Sequence, residues 1–169
     1  IWISKNVNIS NDKNIILFAP TEREKGNPSP ISNLMNCYEF INTINQMGLN
    51  IYYSQHIHDN NNVPILSSVK TNFNGNWSKV LAVVTDYSSI GADFLYSGGY
   101  KTIYFTVDYE DFLISSGIGP LMDFEFNKAS ECKSVKELLE LINHLSKSYL
   151  SYKNEKRFFK NSLYFHLIH

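Results

Sequence analysis

No apolar run in this 169-residue chain approaches the roughly 18–20 residues that cross a bilayer, which argues against a transmembrane segment. Its two cysteines, Cys37 and Cys132, have no metal-ligand spacing and cannot make a disulfide framework, which suits a reducing compartment. The glycines never fall into G-x-G-x-x-G, a Walker P-loop or G-x-S-x-G. That argues against NAD-type dinucleotide binding, P-loop chemistry and the nucleophile elbow of α/β-hydrolases. Charge is scarce too: 18% of residues, with a formal net of −1, give no field that would attract nucleic acid. A signal peptide is lacking and the first residue is not Met, so the expectation is a piece cut from a longer protein.

What is present is enough apolar sequence, 43%, for one domain with a full core. Short β-branched runs at Asn14–Ala19 (NIILFA), Asn50–Ser54 (NIYYS), Val80–Val84 (VLAVV) and Lys101–Val107 (KTIYFTV) predict buried strands, and Val63–Val69 a further short one. Three- and four-residue apolar spacing predicts one helix over Ile31–Met47, closed by Gly48, and another over Ser134–Leu150 with a helical tail to His169. A helix is also expected from Ile90. Residues 1–13 read as a lead-in, Glu22–Pro30 as a loop, and Asp108–Phe126 as a long loop of the kind that carries function. Strands alternating with helices imply a parallel sheet covered on both faces. The expected fold is a single doubly wound α/β domain over residues 1–169.

In such sheets ligands bind beyond the carboxyl ends of the strands. Four polar clusters fall there: Thr21–Arg23, Gln55–His58, Asp86–Ser89, and Asp108 with the segment after it. The central one is the most suggestive. A buried strand that runs through Thr85-Asp86-Tyr87-Ser88-Ser89 into a helix gathers hydroxyls and unsatisfied N–H groups at one point, which suits a phosphate. The same residues also serve as plain N-caps. Asp86 as a phosphoacceptor is disfavoured, because the acidic pair such domains carry after the first strand is here Ala19-Pro20-Thr21. Arg23 reads either as a phosphate fork or as a solvated loop residue between Glu22 and Glu24. His56 and His58 point the same way on an extended segment. They admit a phosphate contact or a surface role, while a metal pair lacks a third ligand, so no metal site is expected. Asp108, Tyr109, Glu110 and Asp111 suit polyol hydroxyls or a solvated acidic turn. The basic-aromatic stretch Lys153–Lys160 reads as a packed helix with solvated charges, with contact to an anionic membrane as the alternative.

With these residues in view, the chain resembles the C-terminal half of the CDP-glycerol glycerophosphotransferase family, the teichoic acid polymerases and primases. Phe18-Ala19-Pro20-Thr21-Glu22-Arg23 is similar to the family's strand and P-T-x-R loop, and Val84-Thr85-Asp86-Tyr87-Ser88-Ser89-Ile90 to its D-Y-S-S motif. Lys101–Phe112 resembles the strand and acidic-aromatic segment that follow, and the likeness spans residues 13–126. The resemblance implies a GT-B enzyme with two Rossmann-like halves, of which this is the donor-binding one. It implies transfer of glycerol phosphate from CDP-glycerol to a hydroxyl of a teichoic-acid or capsule polymer, with no cofactor beyond the donor substrate. Ser88 and Ser89 would hold the pyrophosphate, assisted by Thr21, Arg23, His58, Asp86 and Asp108. His56, nearer the strand end, would be the catalytic histidine of this half. The family's Trp-His-Gly segment, whose histidine is the expected base, is absent, so the acceptor and the base would belong to a missing N-terminal half. The place of action implied is cytoplasmic, at the inner face of the plasma membrane. Alternatives are a GT-B glycosyltransferase using another nucleotide sugar, and a non-catalytic Rossmann-like module.

Overall fold

A computed structural model describes residues 13–24, 26–56, 61–116 and 129–165, with side chains of the last helix described as far as Ser151. The four apolar runs form β1 (Ile15–Phe18), β2 (Asn50–Tyr53), β3 (Val80–Thr85) and β4 (Thr102–Phe105), and β5 (Ala129–Cys132) joins them. All pair in parallel, in the order β2-β1-β3-β4-β5. Every residue of β1, β3 and β4 is buried, which is why these strands read as unbroken apolar runs and not as alternating ones. The pairing of β1 with β3 slips by one residue between Ile15 and Ile16, which face Val80 and Ala82. The extra residue, Leu81, lies in the same core as Ala82, as a bulge allows.

Helices α1 (Pro30–Leu34), α2 (Tyr38–Gln46) and α5 (Val135–Phe165) cover one face of the sheet. Ile31, Met35, Phe40, Ile41, Ile44, Leu138 and Ile142 pack there against Ile16, Phe18, Leu81 and Val84. Each such side chain, taken fully out of water, contributes about 1.5–3 kcal/mol. The other face carries α3 (Ile90–Tyr96), whose Phe94 and Leu95 meet Ile15, Leu17, Val80 and Val83. Where a second helix would be expected after β2, an aromatic row covers this face: Tyr52, Phe73, Trp77 and Phe94 touch in sequence at centroid spacings of 5.7, 5.1 and 5.5 Å. Helix α4 (Tyr109–Ser116) follows β4.

Several expectations are corrected. The helix foreseen over Ile31–Met47 is two, because the Met35 carbonyl accepts the Leu66 N–H at 3.1 Å and so leaves the helical ladder. Val63–Val69 is not a strand: Pro64 has no N–H to give, and Val69 turns back onto the Leu66 carbonyl. Only Lys70 bridges to β2, at Tyr52. The loop foreseen from Asp108 begins with α4, which starts as Phe112 N–H bonds to the Asp108 carbonyl. β5 was not foreseen, since Ala129-Ser130-Glu131-Cys132 is a half-exposed edge strand with little apolar signal. Residues 117–128 lie outside the described residues.

One glycine fixes how closely α3 lies on the sheet. A Cβ at Gly91 would stand 2.7 Å from Thr102 Cγ2 and 2.9 Å from the Tyr104 hydroxyl. The Thr102 hydroxyl also donates to the Gly91 carbonyl at 2.9 Å. Gly91→Ala should therefore lower stability by about 1–3 kcal/mol, the usual cost of overpacking, read as a fall of several degrees in melting temperature. The buried Cys132 offers a second check. Burial and the carboxylates of Glu137 and Glu131 push its thiol up to about 12, so the fold favours the uncharged form. What this contributes is present below the ordinary thiol range and is lost as pH rises toward 12. At pH 8 a thiol reagent should label the half-buried Cys37 quickly and Cys132 only after unfolding.

Candidate functional site

The strand order reverses between β1 and β3: from β1 the chain passes to β2 on one side, then returns to β3 on the other. The connections therefore part at the carboxyl ends of these two strands, leaving a crevice between their loops. The loops are tied together at its floor. Ala19 N–H donates to the Val84 carbonyl (2.9 Å), the Thr85 hydroxyl to the Ala19 carbonyl (2.6 Å), and Ser54 N–H to the Phe18 carbonyl (2.8 Å). Above them lies an open cleft of about 250 Å³ lined by Ala19, Pro20, Ser54, Gln55, His56, Ser88 and Ile90.

Beside the cleft stands a closed polar ring. Asp86 is wholly buried at the end of β3. Its Oδ1 accepts the backbone N–H groups of Thr21 and Tyr87, both at 2.7 Å, and its Oδ2 accepts Arg23 Nη2 at 2.9 Å. The same Nη2 donates to Asp108 Oδ2 at 3.1 Å, and Asp108 Oδ1 accepts the Tyr87 hydroxyl at 2.9 Å. The guanidinium lies 5.3 Å from the Tyr87 ring centre and 4.7 Å from that of Phe112, and these two rings stack at 4.1 Å. Burial pushes the Asp86 carboxyl above the usual carboxylate range, while Arg23 and the N–H donors of Thr21 and Tyr87 pull the other way. Burial and the Asp108 carboxylate push the Tyr87 phenol well above its usual value, so it stays a donor.

The candidates from the sequence thus divide. Thr21, Arg23, Asp86 and Asp108 come together in the ring, bonded chiefly to one another. Arg23 is 9% exposed, which overturns the solvated-loop reading, and Asp108 is not a solvated turn. Ser88 and His56 face the neighbouring cleft. Ser88 Oγ accepts the Ile90 N–H at 3.3 Å, a turn-type bond at the start of α3. Ser89 is exposed and does not line the cleft, its hydroxyl 3.5 Å from Asp93 Oδ2. Among the described residues, no hydrogen bond takes the backbone N–H of Ser88 or Ser89. His56 Nδ1 lies 3.7 Å from Glu22 Oε2. His58 lies outside the described residues. Among those residues no group of three or more His, Cys, Asp or Glu side chains is arranged to hold a metal ion, and no helix is long and apolar enough to cross a membrane.

Asn61 is a member of this edge that the sequence did not single out. Its buried Oδ1 accepts the Gly26 N–H at 2.7 Å, and its Nδ2 donates to the Glu24 carbonyl at 3.1 Å. It clamps the loop after β1 to the loop after β2. Nothing in Asn60-Asn61-Asn62 distinguishes the middle asparagine before the chain is folded. Tyr87 and Phe112, readable in the sequence only as members of their motifs, are the aromatic walls around Arg23.

The ring makes a stability prediction. Asp86→Ala leaves the Arg23 charge short of a partner and two backbone N–H groups unpaired in the interior. Urea denaturation should show a loss of about 3–5 kcal/mol, and a loss below about 1 kcal/mol would contradict the role given to the carboxylate.

The family model described as CDP-Glycerol:Poly(glycerophosphate) glycerophosphotransferase matches residues 2–166. No curated protein matches the chain significantly. Among solved structures, the wall teichoic acid polymerase TagF is similar at a TM-score of 0.58 and 18% identity, over 91% of this chain and 40% of that one. A histidine-to-alanine variant of TagF is similar at 0.59 and 19%, over 86% of this chain and 38% of that one. At such identities the likeness is one of fold: a Rossmann-like unit spanning about two fifths of the TagF chain's length. With a family match running over almost its whole length, the chain belongs to the CDP-glycerol:poly(glycerophosphate) glycerophosphotransferase family.

Proposed function

We propose that this chain is the donor-binding half of a glycerophosphotransferase that takes glycerol phosphate from CDP-glycerol and transfers it to a hydroxyl of a growing teichoic-acid-type polymer. The observation that carries the reading is the cleft at the β1/β3 crossover, to which Ser88 and His56 come from two separate loops. Its wall at Ser88 offers a hydroxyl to an anion, and among the described residues no hydrogen bond takes the backbone N–H of Ser88 or of Ser89 beside it. His56 stands across the same cleft, on the side of β2.

In the reaction proposed, the acceptor oxygen attacks the phosphorus of the glycerol phosphate, the bond to the bridging oxygen breaks, and CMP leaves with the electron pair. The negative charge that grows on the leaving phosphate needs donors already in place, and the Ser88–Ser89 turn and His56 are the groups of this chain that would supply them. The base that takes the acceptor's proton belongs, on this reading, to the other half of the enzyme. The same is true of the polymer site.

Calorimetry with CDP-glycerol, CMP and UDP-glucose tests the proposal. CDP-glycerol should bind selectively, and Ser88→Ala should weaken it about tenfold, the worth of one hydrogen bond to a charged group, with the circular dichroism spectrum unchanged. Selective binding of UDP-glucose would point instead to a nucleotide-sugar glycosyltransferase. Absence of any nucleotide binding at millimolar concentration would sink both enzyme readings.

A further inference from the structure

We infer that Arg23 is a positioning residue, which does not touch the donor but holds the Tyr87-Ser88 turn in its binding geometry through Asp86 and Asp108. This rests on reading the neighbouring cleft as the donor site. Both terminal nitrogens of Arg23 are already engaged. Nη2 serves both carboxylates, at 2.9 and 3.1 Å, and Nη1 faces the Thr21 and Glu22 carbonyls of its own loop, each at 3.4 Å. The guanidinium is held against the Tyr87 and Phe112 rings. It does not line the cleft that holds Ser88 and His56. The little of it that reaches solvent borders a separate hollow of about 380 Å³ shared with Thr21, Glu22, Glu24, Phe112 and Ser115. One positive charge divided between two carboxylates, beside two further glutamates, is a poor place for a diphosphate.

The path from Arg23 to the binding turn is short. Arg23 pairs with Asp86 Oδ2, and Asp86 Oδ1 grips the Tyr87 N–H. Asp108, shared with Arg23, grips the other end of the same residue at its hydroxyl. Tyr87 is thus fixed at backbone and side chain, and Ser88 is the next residue along.

Asp108→Asn separates this role from direct donor contact, because the two predict opposite signs. If Arg23 bound the donor, removing a competing carboxylate would free it and tighten binding. If Arg23 positions the turn, the loss loosens Tyr87 and weakens binding. The expected result, by calorimetry with CDP-glycerol on the full-length protein, is a dissociation constant raised about tenfold at a melting temperature changed by no more than a few degrees. Asp108→Glu should restore part of the affinity, and Tyr87→Phe, which removes only the hydroxyl, should copy the Asn variant. Without any ligand, amide hydrogen exchange at Thr21 and Tyr87, the two N–H groups held by Asp86, should quicken in Asp108→Asn. Tighter CDP-glycerol binding in that variant, or unchanged exchange at both amides, would overturn the inference. If the parent protein binds no cytidine nucleotide, the functional reading fails and the exchange measurement alone decides the role of Arg23.

Discussion

A carboxylate placed at the end of a fully buried strand has to be neutralised and bonded on the spot, and Asp86 imposes that demand on everything around it. Taking such a group out of water costs several kcal/mol, which no amount of neighbouring apolar contact offsets. The solution recruits three separate loops. The loop after β1 gives the Thr21 N–H and the Arg23 guanidinium, the turn after β3 gives the Tyr87 N–H, and the start of the segment after β4 gives Asp108 to share the arginine. The interaction is a weak source of net stability for its size, since a well-packed apolar substitute could do as well. Its value is in geometry. Three loops that would otherwise move independently are tied to one point at the edge of the sheet.

That placement matters because the same edge is where the β1/β3 crossover opens a cleft. The ring and the cleft are neighbours but chemically distinct. In the ring, the charged groups satisfy one another. The cleft is lined by Ser88 and His56, and among the described residues no hydrogen bond takes the backbone N–H of Ser88 or Ser89. On the proposed reading, the closed network sets the geometry of the loops and the cleft residues meet the donor. Gly91 serves the same end from behind. With no Cβ, it lets α3 lie against Thr102 and Tyr104, which fixes where the helix begins and hence where its first hydroxyls stand.

The fold was largely legible because its strands are buried on both faces. Asn14–Ala19, Val80–Val84 and Lys101–Val107 show unbroken apolar runs for that reason, and the interleaved helical periodicities then imply a parallel sheet. Elements that depend on solvent-facing or long-range contacts were not legible. β5 has almost no apolar signal, and α4 is held by Phe112 stacking on Tyr87, a contact between distant parts of the chain. The break between α1 and α2 exists because Leu66, thirty-one positions after Met35, takes its carbonyl. The site was half legible. The residue types gathered at the strand ends were readable, and so was the D-Y-S-S turn. Which of them satisfy one another was not, and neither was Asn61.

The sequence by itself therefore determined the class of the fold, the edge of the sheet at which polar chemistry collects, and the family to which these motifs belong. Each of these follows from patterns of apolar burial and local turn chemistry, which are written in neighbouring residues. Only the tertiary structure decided that Arg23, Asp86 and Asp108 are bonded into one ring, while His56 and Ser88 face a cleft beside it. An arginine next to two glutamates in sequence looks solvated. It becomes a buried cation only when β3 brings it the buried carboxyl of Asp86, 63 positions along the chain.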